Sequence, residues 1–159
     1  MKAMVIYDSF SVAAKANCLL QSAAVHSACV MNWEIKPWRA DLLKMVNFIR
    51  EASLEASDAH LIIIAAEKIG SLPYWLEHWL EEWAVERKIE EAALGIVDYD
   101  PRGHLPLFPQ AYRFAARHGL NFIYQPQEGK DYPRIASATG SVQRVFSFSQ
   151  PCSRGDSFN

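Results

Sequence analysis

The chain has 159 residues, half of them apolar and 21% charged, with eight Phe, six Tyr and five Trp, a globular composition long enough for one domain to bury a core without staples. A formal net charge of −2 and the lack of any Lys/Arg run exclude the basic field that nucleic acid selects, so no nucleic-acid partner is expected. The longest wholly apolar run, LIIIAA, is far short of a membrane span, and the start MKAMVIYD has no signal-peptide h-region, so a cytoplasmic chain with no membrane role is expected.

Residues 3–7 (AMVIY) are β-formers closed by the polar pair Asp8-Ser9, which predicts a buried first strand. Residues 12–25, rich in Ala, Leu and Cys, read as a helix. In 29–35 (CVMNWEI), Met31, Trp33 and Ile35 alternate with Asn32 and Glu34 until Pro37 closes the run, the pattern of a strand with one wet face near a sheet edge. Leu42, Val46 and Ile49 recur at helical spacing within 40–57 and predict a second helix. Residues 60–66 (HLIIIAA) are the most hydrophobic stretch, a strand buried on both faces. Ser71-Leu72-Pro73 reads as a helix start, Ser capping free amides and Pro tolerated in the first turn, with the helix running to about Val85. Residues 94–97 (LGIV) are a fourth strand, 109–118 a fourth helix stopped by Gly119, and 121–124 (NFIY) a fifth strand. On the wheel of the third helix, Leu72, Leu76, Trp79 and Trp83 share one face, with Trp75 at its shoulder near Glu82 and Glu86. Trp79 and Trp83 are expected in the core, and Trp75 partly exposed as the anchor of a homodimer or protein-partner face.

Strands alternating with helices imply parallel pairing through right-handed crossovers, an α/β three-layer sandwich. Fold analogy adds the strand order 2-1-3-4-5, with the first and third strands adjacent at the centre. Residues 1–127 are taken as this domain. Residues 128–159 are a tail whose Ile135, Val142, Val145, Phe146 and Phe148 are expected to dock in part, in place of a fifth covering helix.

Few residues carry chemistry by spacing. Cys18, Cys29 and Cys152 are odd in number and lack a CxxC pair, so reduced thiols are expected. His26 with Cys29 lacks a second ligand pair, and no metal site is expected. A phosphorylated receiver needs an acidic pair after the first strand, an Asp after the third and a Lys after the fifth; only Asp8 is in place, since Ala65-Ala66 and Gln125-Pro126 occupy the others. Asp98, Asp100, Arg102 and His104 cluster after the fourth strand, where a solvated turn is the simpler reading and the rim of a site the alternative.

In a sheet of this kind ligands bind beyond the carboxyl ends of the strands, where strand order reverses. The segment Val5-Ile6-Tyr7-Asp8-Ser9-Phe10-Ser11 resembles the start of flavodoxins, where a similar strand enters the loop that binds the FMN phosphate. Glu67-Lys68-Ile69-Gly70-Ser71-Leu72-Pro73 is similar to a loop of NADPH-dependent FMN reductases, with Glu67, Gly70, Ser71, Leu72 and Pro73 at matching positions. The resemblance implies a flavodoxin-like domain in which a bound flavin, or another ligand, meets Ser9, Phe10, Ser11, Glu67, Lys68, Gly70, Ser71, Asp98 and Tyr99. Val12-Ala13-Ala14 stand where the family places Gly and hydroxyl or amide residues, Asp8 adds negative charge, and Lys68-Ile69 replace the flavin-contacting Tyr-Asn. Two function classes follow. In the preferred one the flavin site is degenerate, no cofactor is held, and the domain is a non-catalytic regulatory or interaction module. In the other it is an FMN-binding oxidoreductase or electron-transfer flavoprotein.

Overall fold

The computed structural model describes residues 1–26, 32–67, 71–98 and 107–124. Five strands, β1 (Lys2–Tyr7), β2 (Glu34–Arg39), β3 (Leu61–Ala66), β4 (Ala93–Asp98) and β5 (Asn121–Tyr124), alternate with α1 (Phe10–His26), α2 (Val46–Ala56), α3 (Tyr74–Glu86) and α4 (Leu107–Arg117). All strands pair in parallel, in the order β2-β1-β3-β4-β5. That is the expected order, with β1 beside β3 and all six residues of β3 buried. The tail 128–159 lies outside the described residues.

The two faces of the pleat are covered by different helices. Met4, Ile6, Ile62, Ile64, Leu94, Ile96 and Phe122 point to one core, packed by α2, α3 and α4. Ala3, Val5, Leu61, Ile63, Ala65 and Val97 point to the other, packed by Val12, Ala16, Leu19 and Leu20 of α1. Gly95 falls on this second side by alternation with Ala93 and Val97, and a Cβ there would stand 3.2 Å from Ile63 Cγ1. Trp79 and Trp83 are buried at 0% and 3% exposure, as their wheel positions predict. Their indole N–H groups also stitch α3 to α2: Trp79 Nε1 donates to Ser53 Oγ at 3.0 Å, and Trp83 Nε1 to the Ala56 carbonyl at 2.9 Å. Gly119 ends α4 with φ +64°. The Leu120 amide reaches back to the Ala115 carbonyl at 2.9 Å, the closing bond of a Schellman cap.

Four expectations need correction. The strand expected at 29–35 runs over Glu34–Arg39, past Pro37; residues 27–31 lie outside the described residues. The Glu34 amide donates to the Met1 carbonyl and the Ala40 amide to the Tyr7 carbonyl, so even-numbered amides of β2 face β1. Pro37, at odd parity, turns its hydrogen-free nitrogen to the outer edge, where no ladder bond is lost. The single helix expected over 40–57 is broken: Leu42–Lys44 form a 3-10 turn, and Met45 is extended at φ −99°, ψ 126°. The break resets the helical phase, so Leu43, Ala52 and Ala56 become the buried residues, and Val46 is 83% exposed. Ser71 is not a cap; Pro73 stands at the N-cap, and its carbonyl accepts from the Leu76 and Glu77 amides. Lastly Cys18, half-buried on α1, is disulfide-bonded to a partner outside the described residues, which spacing along the chain had no means of showing.

Among the described residues no helix is long and apolar enough to cross a membrane.

Candidate ligand-binding site

The carboxyl ends of β1, β2 and β3 converge on one edge of the sheet. Only Asp8 and Ser9 separate β1 from α1, because the helix begins at Phe10 rather than at Val12. Val12, expected as the first residue of the helix, is a core residue of α1 at 1% exposure. A two-residue turn leaves little backbone to wrap an anion, and both of its side chains are engaged within the chain. The Asp8 carboxylate accepts the Glu67 amide through both oxygens, at 2.9 and 3.0 Å, which ties the end of β1 to the end of β3. Ser9 Oγ donates to Glu67 Oε2 at 2.7 Å, Ser11 Oγ to the same oxygen at 3.3 Å, and the two hydroxyls stand 2.9 Å apart. The first turn of α1 has no acidic residue of its own. Glu67, arriving from β3, supplies the negative charge that the positive end of a helix favours.

A cleft of about 630 Å³ opens beside this network, a size usual for small-molecule sites. Tyr7 and Phe10 form one wall, their rings 5.6 Å apart at 43°; Phe10 is 75% exposed. Ser71, Pro73 and Trp75, from the entry to α3, form another. The third comes from the end of β2 and the turn after it, through Arg39, Ala40, Asp41 and Lys44. Arg39 grips Asp41 with a two-pronged fork, Nε to Oδ1 at 3.0 Å and Nη2 to Oδ2, and this hydrogen bonding holds the Asp41 carboxyl below the usual carboxylate range. Lys44 Nζ sits 5.3 Å from the centroid of the Trp75 ring, a cation–π contact.

No known family model, curated protein or solved structure matches the chain.

Of the residues singled out in the sequence, Ser9, Ser11 and Glu67 meet in one hydrogen-bonded cluster, while Phe10 and Ser71 line the adjoining cleft. Asp98 is the last residue of β4. Lys68, Gly70 and Tyr99 lie outside the described residues, as do Asp100, Arg102 and His104. Arg39, Asp41 and Lys44 were not anticipated. Placing the second strand at 29–35 left Arg39 in the connection before a helix and Asp41 and Lys44 within that helix, whereas a strand running through Pro37 carries them to the same edge as Tyr7. The signal was present in the strand order itself, which sets the end of the second strand beside that of the first. Among the described residues no group of three or more His, Cys, Asp or Glu side chains is placed to hold a metal ion.

Proposed function

We propose that this domain is a divergent flavodoxin-like module that holds no flavin and acts without catalysis, as a regulatory or interaction domain working through the face around Trp75. One observation carries the reading. The hydroxyls of Ser9 and Ser11, the donors a phosphate would require at the end of β1, are already given to Glu67 Oε2. An entering dianion would displace a like charge and break both bonds, each charge-assisted contact being worth about 1.5–3 kcal/mol. The affinity of an ordinary phosphate loop is lowered on that account by several powers of ten. The partner face is supported by the half-buried Trp75 and the neighbouring Tyr74, 82% exposed, since aromatic side chains beside a cleft are common interface anchors.

The test is the visible absorption spectrum of freshly purified protein, followed by titration into FMN. A colourless preparation that leaves micromolar FMN fluorescence unquenched is expected. A yellow preparation with bound FMN would overturn the reading in favour of an FMN-binding oxidoreductase.

A further inference from the structure

The cleft's polar groups divide into two sets. Its acids are spent: both oxygens of Asp41 are taken by the Arg39 fork, and both of Asp8 by the Glu67 amide. Its donors divide: those of Arg39 and Ser9 are given to Asp41 and Glu67, while Lys44 is exposed and has no carboxylate partner among the described residues, and Tyr7, Ser71 and Trp75, each with a donor group of its own, line the same cleft. A cleft with satisfied acids and unspent donors selects an acceptor-rich, negatively charged ligand. The aromatic walls add a second requirement, because Trp75 and the Tyr7–Phe10 pair present ring surface that a flat apolar body would cover. The cation–π contact keeps the Lys44 ammonium at the mouth, ready to meet an anionic group without first breaking an ion pair.

We propose that the cleft bounded by Lys44, Trp75, Tyr7 and Ser71 binds a small planar organic anion, a one- or two-ring aromatic carboxylate or phosphate ester. The inference rests on the reading of the domain as a binding module and names the ligand class of that module. Its anion-binding group comes from the turn after β2, on the opposite side of β1 from the Ser9–Glu67 cluster.

The test is calorimetric titration of the full chain with four probes on one ring system: 1-naphthoate, 1-naphthyl phosphate, neutral 1-naphthylmethanol and cationic 1-naphthylmethylamine. At least one anion is expected to bind with a dissociation constant below about 1 mM, more weakly as salt is raised, and which anion wins separates carboxylate from phosphate ligands. Lys44→Met and Trp75→Phe are each expected to keep the melting temperature, the former weakening the anion about tenfold or more and the latter less. The proposal falls if neither anion binds, if the neutral or cationic probe binds as well as the anions, or if Lys44→Met leaves the affinity unchanged. Repeating the anion titration with saturating FMN keeps the two readings apart. FMN binding that leaves the naphthyl anion in place removes only the non-flavin reading, and FMN that displaces it removes both.

Discussion

Ser9 Oγ donates to Glu67 Oε2 across 2.7 Å, joining residues 58 positions apart at the ends of the two central strands. Glu67→Ala removes this acceptor and the charge at the start of α1, while leaving two hydroxyls in reach of water. The variant is expected to lose about 1 kcal/mol of stability in urea unfolding, with Glu67→Gln losing less because its amide oxygen still accepts. Equal losses in both variants would mean that the charge, and not the hydrogen bonds, carries the contact.

The three tryptophans of α3 differ in what surrounds them. Trp79→Ala empties a fully buried site and removes the indole donor to Ser53, whose hydroxyl keeps its own bond to the Ile49 carbonyl, with an expected cost of about 3–5 kcal/mol. Trp75→Ala, at a half-buried position on the cleft wall, is expected to cost less than half of that. Chemical denaturation of the two variants decides it. In sedimentation, Trp75→Ala is also expected to shift any self-associated form toward monomer, if the interaction face is used by a second copy.

Acid tests the contact between Lys2 and Asp58, whose Nζ and Oδ1 lie 2.6 Å apart. The hydrogen bond from Lys2 lowers the Asp58 pKa in the folded chain. A carboxyl with a depressed folded pKa adds stability above its unfolded value, near 3.9, and loses that contribution as the pH falls through the folded value. Asp58→Asn is therefore expected to melt a little lower than the parent at pH 7, by no more than about 3 °C for so exposed a pair. The gap should close by about pH 2. A gap that widens in acid would contradict this assignment.

The bridge at Cys18 uses two of the chain's three cysteines. Thiol titration in denaturant is therefore expected to find one free thiol per chain before reduction and three after it. A bridge that survives purification points to an oxidising compartment. Three thiols without reductant would instead agree with a cytoplasmic location.

Much of the fold was legible because burial on both faces of a parallel strand leaves a plain mark: LIIIAA at β3 and AMVIY at β1 have no polar position to hide. Trp79 and Trp83 were placed by helical period alone, since large aromatics on one stripe have nowhere else to be buried. The edge was harder. Pro37 looks like a terminator in a sequence, and only the parity of the β2 amides shows that its nitrogen faces away from β1. Val46 was assigned to an apolar stripe that the extended Met45 dissolves. For the site, the residues Ser9, Ser11 and Glu67 were found but not their mutual bonding, because a hydrogen bond between side chains 58 positions apart leaves no periodic trace. Lys44 and Arg39 stayed hidden behind the error at β2.

That same proline bears on how copies of this chain meet. An outermost strand with a full row of outward amides is a template for another strand, the usual route to edge-to-edge stacking and fibres. Along β2 the outward amides belong to Ile35 and Arg39, with Pro37 between them, so an incoming strand would find a gap at the middle of its ladder. Lys36 and Arg39 put charged side chains on the same strand, paired with Glu34 and Asp41. Addition of a further strand past β2 is therefore hindered at the middle of its ladder.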